Sequence, residues 1–287
     1  MLLELKDVSK RLGKFHIKNI SMDLPEGYIL GLIGPNGSGK TSLIHLILGL
    51  YKPNSGDILI DGKSYADEEI AIRNMIGTVL LDEMFDNGVS LLSNGIRYGR
   101  YYEKFNQEIL EAYLERFNLD KKRKYNKLSK GEKLKFQFAF SLSYNPKLLI
   151  LDEPTGNFDP EFRKEFFQVI KEFIADGTRS VIISTHLTED LDKMADYLIY
   201  MEEGSILTAM DIEELRSKYR IIAGEDYRMK LLPEQRIIHM EKGEFATKAL
   251  IRHRQIDTYD ASYTVSAPKI DEFMYFVTKR DKGVEID

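Results

Sequence analysis

The sequence predicts an α/β fold in which a largely parallel sheet is covered by helices on both faces. Three observations predict it. Leu148-Leu149-Ile150-Leu151 and Ser180 to Ser184 are continuous apolar runs, the pattern of strands buried on both faces. Tyr28 to Ile33 is a third such run, and it enters a glycine-rich loop that leads into helically spaced Leu43, Ile44, Leu46 and Ile47. Helical stretches, Ser129 through Ser143 and Pro160 through Ala175, alternate with the strands.

Composition bounds the reading. The chain has 287 residues, 43% hydrophobic and 30% charged, enough for one large domain or two smaller ones with a sizeable core. A net charge of -5 gives no support for non-specific nucleic-acid binding, and no nucleic-acid partner is expected. With no cysteine there is no disulfide and no thiolate chemistry. Glu4, Lys6 and Asp7 break any signal-peptide apolar segment. No apolar run approaches the roughly 18–20 residues that span a bilayer, so a membrane role requires another chain.

Taken in order, Leu2 to Ser9 and Phe15 to Leu24 read as strands joined at Gly13, and Pro25-Glu26-Gly27 turns the chain into the next strand. After the first helix, Gly49 is a C-cap and Pro53 a stop. Asp57 to Ile60 precedes the hairpin dipeptide Asp61-Gly62, and Ile76 to Leu81 is another short strand. From about residue 83 to 145 the pattern is helical, with Tyr98, Tyr101, Tyr102 and Phe105 close together. Leu187 to Ala195 is amphipathic, and a hairpin surrounds Glu202-Glu203-Gly204. Domains are expected at 1–209 and 210–287. In the second, Asp211 caps a helix over Ile212 to Lys218. Strand-like runs follow at Tyr219–Ala223, Tyr227–Leu231, Arg236–Met240, Ala246–Ile251 and Tyr263–Val265, then a helix from Pro268 to Thr278.

The chemistry starts in the loop Gly34-Pro35-Asn36-Gly37-Ser38-Gly39-Lys40-Thr41-Ser42. It matches G-x-x-x-x-G-K-[ST] in the required strand–loop–helix context. Glycines let backbone N–H groups converge on phosphate oxygens, and the following helix turns its positive dipole end to the same charge. Lys40 can reach the β- and γ-phosphates, and the Thr41 hydroxyl can ligate Mg²⁺. Asp152-Glu153 ends the apolar run at Leu151. There Asp152 can hold Mg²⁺ and Glu153 can orient and deprotonate water.

Leu128-Ser129-Lys130-Gly131-Glu132 resembles the L-S-G-G-Q signature of ABC ATPases, the nucleotide-binding subunits of ABC transporters. Order strengthens the resemblance: phosphate loop, signature, Asp152-Glu153, then Gly156-Asn157-Phe158-Asp159, similar to the D-loop, and His186, similar to the switch histidine. It covers about residues 1–209. It implies a P-loop NTPase of ABC type, with a mixed β core, a helical subdomain and a small α+β C-terminal extension. It also implies ATP and Mg²⁺ as cofactors, and catalytic roles for Glu153 as general base and His186 as γ-phosphate sensor. Asn36 to Ser42 would hold one nucleotide, while Ser129 and Gly131 would meet that of a second cassette, in a homodimer or heterodimer. Asp159 would link the two sites. The implied partner is a transmembrane permease on a separate chain, which places the protein at the cytoplasmic face of the cell membrane.

The sequence departs from the family pattern at several places. Lys130 and Glu132 stand where the family often has glycine and glutamine. The base-stacking aromatic is missing: Leu12 falls nearest, and Phe15 or His16 follows, with Phe15 the substitute. The glutamine after Ile76-Gly77-Thr78-Val79 is also absent, and Leu81 or Asp82 stands there, with Asp82 a candidate Mg²⁺ ligand. Tyr98 to Phe105 is either a groove for permease helices or internal packing. Lys121-Lys122-Arg123-Lys124 reads as a solvated loop, with headgroup contact as the alternative. The C-terminal part resembles the appendage of bacterial ABC ATPases from drug, bacteriocin-immunity and peptide-export systems. The function expected is an ATPase powering export of peptides or hydrophobic compounds. The alternatives are a regulatory cassette that binds ATP, or a soluble ABC ATPase acting on nucleic acid or ribosomes.

Overall fold

The computed structural model describes residues 1–81, 84–254, 257 and 259–280. The chain divides into two compact units: Met1–His186 with Tyr200–Leu207, and Leu187–Ile199 with Thr208–Asp287. The division falls close to the expected break at 209, but Leu187–Ile199 groups with the second unit.

In the first unit, β1 (Leu3–Leu12) and β2 (Phe15–Leu24) form an antiparallel pair. The chain then runs through β3 (Ile29–Ile33), α1 (Lys40–Ile47), β4 (Ser55–Ile60), β5 (Lys63–Ser64), α2 (Tyr65–Met75) and β6 (Ile76–Val79). Helices α3 (Leu91–Gly99), α4 (Gln107–Arg116) and α5 (Lys130–Leu142) follow, then β7 (Leu148–Asp152), α6 (Pro160–Ile174) and β8 (Ser180–Ser184). A short α7 (Thr188–Leu191) precedes β9 (Tyr197–Glu202) and β10 (Ser205–Asp211). The amphipathic stretch Leu187–Ala195 is thus helical over only four residues.

One sheet has the order β2-β1-β4-β5 and is antiparallel throughout. The other has the order β10-β9-β3-β8-β7-β6, with β3, β8, β7 and β6 parallel. All five residues of each of β3, β7 and β8 are buried, as their unbroken apolar character requires. The β4–β5 hairpin turns on Asp61 (φ 53°) and Gly62 (φ 73°), both left-handed as a type I′ turn demands.

The aromatic cluster turns mostly inward. Tyr102 stacks on Tyr144 with ring centroids 3.8 Å apart, Phe105 packs on Phe140, and Tyr98 packs on Phe85. Only Tyr101 is strongly exposed, at 78%. In the basic run, Lys121 pairs with Glu111 and Arg123 with Glu132.

The second unit continues with α8 (Ile212–Lys218), β11 (Tyr219–Gly224), α9 (Asp226–Met229), β12 (Ile237–Lys242), β13 (Thr247–Arg252), β14 (Thr264–Ser266) and α10 (Ile270–Thr278). Its sheet has the order β12-β13-β11-β14, antiparallel, over a core that includes Ile222, Met229, Leu232, Ala249 and Ile251. The strand expected at Tyr227–Leu231 is instead the helical turn α9. A strand would put Tyr227, Met229 and Leu231 on one face. The fold buries Met229 and Leu232, three apart, and leaves Tyr227 at 60% and Leu231 at 76% exposure. The helix expected from Pro268 starts at Ile270, after Lys269 as N-cap.

Candidate functional site

Strand β3 delivers the chain to the glycine loop, and α1 starts directly behind Gly39. Gly39 has φ 110°, and a Cβ there would lie 2.8 Å from Ile17 Cδ1 and 3.0 Å from Phe15 Cζ. Only glycine fits this turn. Because Gly39 has no side chain, α1 has no side-chain cap and no acid in its first turn. Its first N–H groups are left for an anion.

One cavity of about 520 Å³ gathers most of the expected residues. Asn36, Gly37, Gly39, Lys40, Thr41 and Ser42 form its floor, with Asp152 and Glu153 on one wall. Leu12, Phe15 and Leu81 complete it. Ser38 lines the adjoining cavity together with His16 and Phe15. Its Oγ is buried and has no hydrogen-bond partner among the described residues. Of the three candidates near the base, Leu12 and Phe15 therefore reach the loop cavity, and His16 lies beside it. Asp82 lies outside the described residues.

Lys40 is folded onto the loop. Its Nζ donates to the carbonyls of Gly34 at 2.7 Å and Pro35 at 3.2 Å. Burial pushes its pKa below the ordinary lysine value, against the opposing pull of Glu153 and Asp152. The Thr41 hydroxyl donates to Asp152 Oδ2 at 2.9 Å, across 111 residues of sequence. A hydroxyl and a carboxylate are the hard oxygen donors that Mg²⁺ takes, with phosphate oxygens and water completing its shell. Among the described residues no group of three or more His, Asp or Glu converges on a metal-sized site.

Glu153 follows the last residue of β7 in a left-handed conformation, φ 49° and ψ 46°. Its N–H donates to the Ser184 carbonyl at 2.8 Å, which ties it to the end of β8. Such a backbone is uncommon for a non-glycine residue and needs a surrounding structure that holds it. Its Oε2 lies 2.7 Å from His186 Nδ1. The two residues are 33 apart in sequence and meet because β7 and β8 are parallel neighbours.

Ser129, Gly131 and Asp159 form a separate patch. Ser129 caps α5: its Oγ accepts from Glu132 N at 3.2 Å, and Glu132 Oε2 accepts from Ser129 N at 2.8 Å. Arg123 pairs with the same Glu132. Burial opposes ionisation of Glu132, but hydrogen bonds from Ser129 and Arg123 outweigh it and hold the pKa below the usual glutamate value. A Cβ on Gly131 would sit 2.4 Å from the Asn157 carbonyl, so only glycine lets α5 lie against this segment. Asp159 caps α6 by accepting from Phe162 N at 2.8 Å, and it accepts from Lys135 Nζ at 3.0 Å. These bonds hold its pKa low.

Leu81, which stands with Asp82 where the family's glutamine is absent, lines the cavity. The residue that sequence reasoning missed is Lys135 at Asp159. Lys135 lies one helical turn beyond Gly131, a spacing that could have revealed it.

Residues 17–156 match the family described as ABC transporter. The ABC transporter ATP-binding protein YtrB of Bacillus subtilis is 29% identical over 274 residues, spanning 94% of this chain and 88% of its own. The lantibiotic transport ATP-binding protein SrtF of Streptococcus pyogenes is 30% identical over 215 residues, spanning 72% of this chain and 89% of its own. A solved structure of an ATP binding subunit of an ABC transporter superposes with a TM-score of 0.71 at 25% identity, over 75% of this chain and 92% of that one. The phosphate loop, the acidic end of β7 and these likenesses place the chain in the ABC transporter family, as an ATP-hydrolysing nucleotide-binding cassette.

Proposed function

We propose that this cassette powers the export of peptides or hydrophobic compounds through a permease carried on a separate chain, at the cytoplasmic face of the cell membrane. The observation that carries the assignment of the site is the convergence of Thr41, Asp152, Glu153 and His186 beside one glycine loop. Likeness to a lantibiotic transport ATP-binding protein supports a role in transport. Among the described residues no helix is long and apolar enough to cross a membrane, which fits a permease supplied by another chain.

In this reading ATP lies along the loop, with its phosphates on the open N-terminus of α1 and on Lys40. Ser38 Oγ, buried and without a partner, finds a phosphate oxygen there. Thr41 and Asp152 would hold Mg²⁺, which would supply positive charge beside the phosphates. Glu153 accepts a proton from the attacking water. His186 Nδ1 lies 2.7 Å from Glu153 Oε2, which leaves its other ring nitrogen, Nε2, to meet a terminal phosphate oxygen. Phe15 and Leu12 meet the base. Asp82 is a further candidate ligand for Mg²⁺.

Ser129 and Gly131 serve the nucleotide of a second cassette, in a homodimer or heterodimer. The Ser129 Oγ accepts within its own helix, so its O–H is left to donate. Asp159 connects that patch to the partner's site. Permease helices dock at a shallow groove lined by Leu48, Leu50, Tyr65, Met84 and Tyr102, where Leu50 is 54% and Met84 42% exposed. Residues 210–287 form an accessory domain that stabilises the dimer or regulates turnover. Its removal is expected to lower dimerisation or ATPase rate, and unchanged values for both reject that role.

The test is ATP turnover by the purified chain with and without its permease, against Glu153→Gln. Loss of the general base is expected to lower kcat by about 10²–10⁴-fold while nucleotide binding persists. Turnover insensitive to this change rejects the catalytic assignment.

A further inference from the structure

Strand β6 is the edge of its sheet, paired on one side only, with β7. An edge strand leaves a row of backbone N–H and C=O groups unpaired. Here α5 fills that row with side chains. Gln137 Oε1 accepts from Leu80 N at 2.8 Å. Ser141 Oγ accepts from Thr78 N at 3.0 Å and donates to Thr78 O at 2.7 Å. Tyr144 OH, just beyond the helix, donates to Ile76 O at 3.0 Å. All three side chains are buried.

The match is one of spacing. Residues 76, 78 and 80 are alternate positions, whose backbone groups point to one side of the strand. Residues 137 and 141 lie on one face of α5, and Tyr144 follows just after its C-cap. Four helical residues rise about 6 Å. Two strand residues span about 6.6 Å. Polar side chains in and just after the buried C-terminal half of α5 thus stand in for a missing strand.

The bonds of the three side chains differ in where they act. Those of Tyr144 and Ser141 hold the strand itself. That of Gln137 holds Leu80, the residue before Leu81, which lines the nucleotide cavity beside Asp152 and Glu153. The same helix begins at Ser129. The family's usual glutamine is absent from this exit of the strand, so its geometry depends on other groups.

We propose that Gln137 is a positioning residue for ATP hydrolysis. Through the Leu80 N–H it fixes where the chain leaves β6, and it makes this wall of the nucleotide cavity follow the helix that carries Ser129. The inference rests on reading Gly34–Ser42 as the nucleotide site.

The experiment compares Q137L and S141A in the full chain, measuring kcat, the Kd for ATP and Tm. Q137L loses the bond to Leu80 and S141A the two bonds to Thr78, and both lower Tm. Q137L is expected to reduce kcat by about fivefold or more, with Kd within about twofold of wild type. S141A is expected to keep kcat within about twofold. Q137E keeps an acceptor oxygen at the same reach and is expected to recover most of the lost kcat. If Q137L does not fold, Q137N, which shortens the reach, serves in its place with the same expectation. An unchanged kcat in the Gln137 variant, or an equal loss in S141A, overturns the proposal. Lys40→Ala distinguishes the underlying reading: ATP binding that survives it rejects the loop as the nucleotide site, whatever Gln137 does.

Discussion

Two helices of the first unit begin at expected phosphate sites, and their N-termini are built in opposite ways. Helix α5 is capped by its own side chains, although it too starts with a lysine, the exposed Lys130: Ser129 is the cap, and Glu132, the acid of the first turn, returns the capping bond and is braced by Arg123. Helix α1 has no such cap: Gly39 precedes it without a side chain, no acid lies in its first turn, and its first residue is a buried lysine. A cation at a helix N-terminus opposes the macrodipole. The difference separates two tasks. The α5 terminus is complete without a ligand and holds its shape for presentation. The α1 terminus is unfavourable by itself, and a polyphosphate supplies the negative charge it lacks.

The largest effect that tests this contrast is at Lys40. In Lys40→Ala, ATP affinity is expected to fall about 100-fold or more, roughly 2.8 kcal/mol. Without nucleotide, Tm is expected to stay level or rise, because the substitution removes a buried cation from the wrong end of a helix. Titration calorimetry and thermal melts read the two quantities. A marked fall in apo Tm breaks the contrast, since it would make Lys40 part of the scaffold.

Ser38 gives a smaller version of the same test. Its hydroxyl is buried without a protein partner, so Ser38→Ala removes no hydrogen bond from the apo fold. Apo stability is expected to change by less than about 0.5 kcal/mol. ATP affinity is expected to fall about tenfold, the value of one hydrogen bond to a charged group. Equal affinity in the variant and wild type shows that this hydroxyl does not meet phosphate.

How much of this was legible in the sequence follows from which interactions are local. The α1 terminus was fully legible, because a loop that wraps phosphate must be one short segment with glycine, lysine and threonine at fixed offsets. The parallel strands were legible because burial on both faces leaves no polar residue in Leu148–Leu151. The role of His186 was legible only through resemblance, and its pairing with Glu153 was not legible at all, since it depends on the register of β7 against β8. The group Gln137, Ser141 and Tyr144 was hidden differently. Gln137 and Ser141 among Phe136, Phe138, Ala139, Phe140 and Leu142 signal a buried partner, but they do not say that the partner is a strand edge far away in sequence. In the second unit, the alternation Tyr227, Met229, Leu231 imitated a strand. The deciding fact, burial of Met229 with Leu232, belongs to the tertiary packing.

The smallest expected effect lies at the completed terminus. Glu132→Gln keeps a capping side chain on α5 but removes the charge that meets Arg123 and the helix dipole. At neutral pH the cost is expected to be about 0.3–1 kcal/mol. The sign of its pH dependence follows from the direction of the shift: the folded state holds the Glu132 pKa below its unfolded value. The stabilisation from its charge is therefore complete above the unfolded glutamate pKa, and it disappears as pH falls through the lower folded one. Chemical denaturation of wild type and Glu132→Gln between pH 7 and about 3 reads this directly, the range bracketing the ordinary glutamate pKa. The two stabilities are expected to differ at pH 7 and to converge at the acid end. A difference that stays constant across the range assigns the effect to packing, and the charge of Glu132 then does not distinguish the α5 terminus from that of α1.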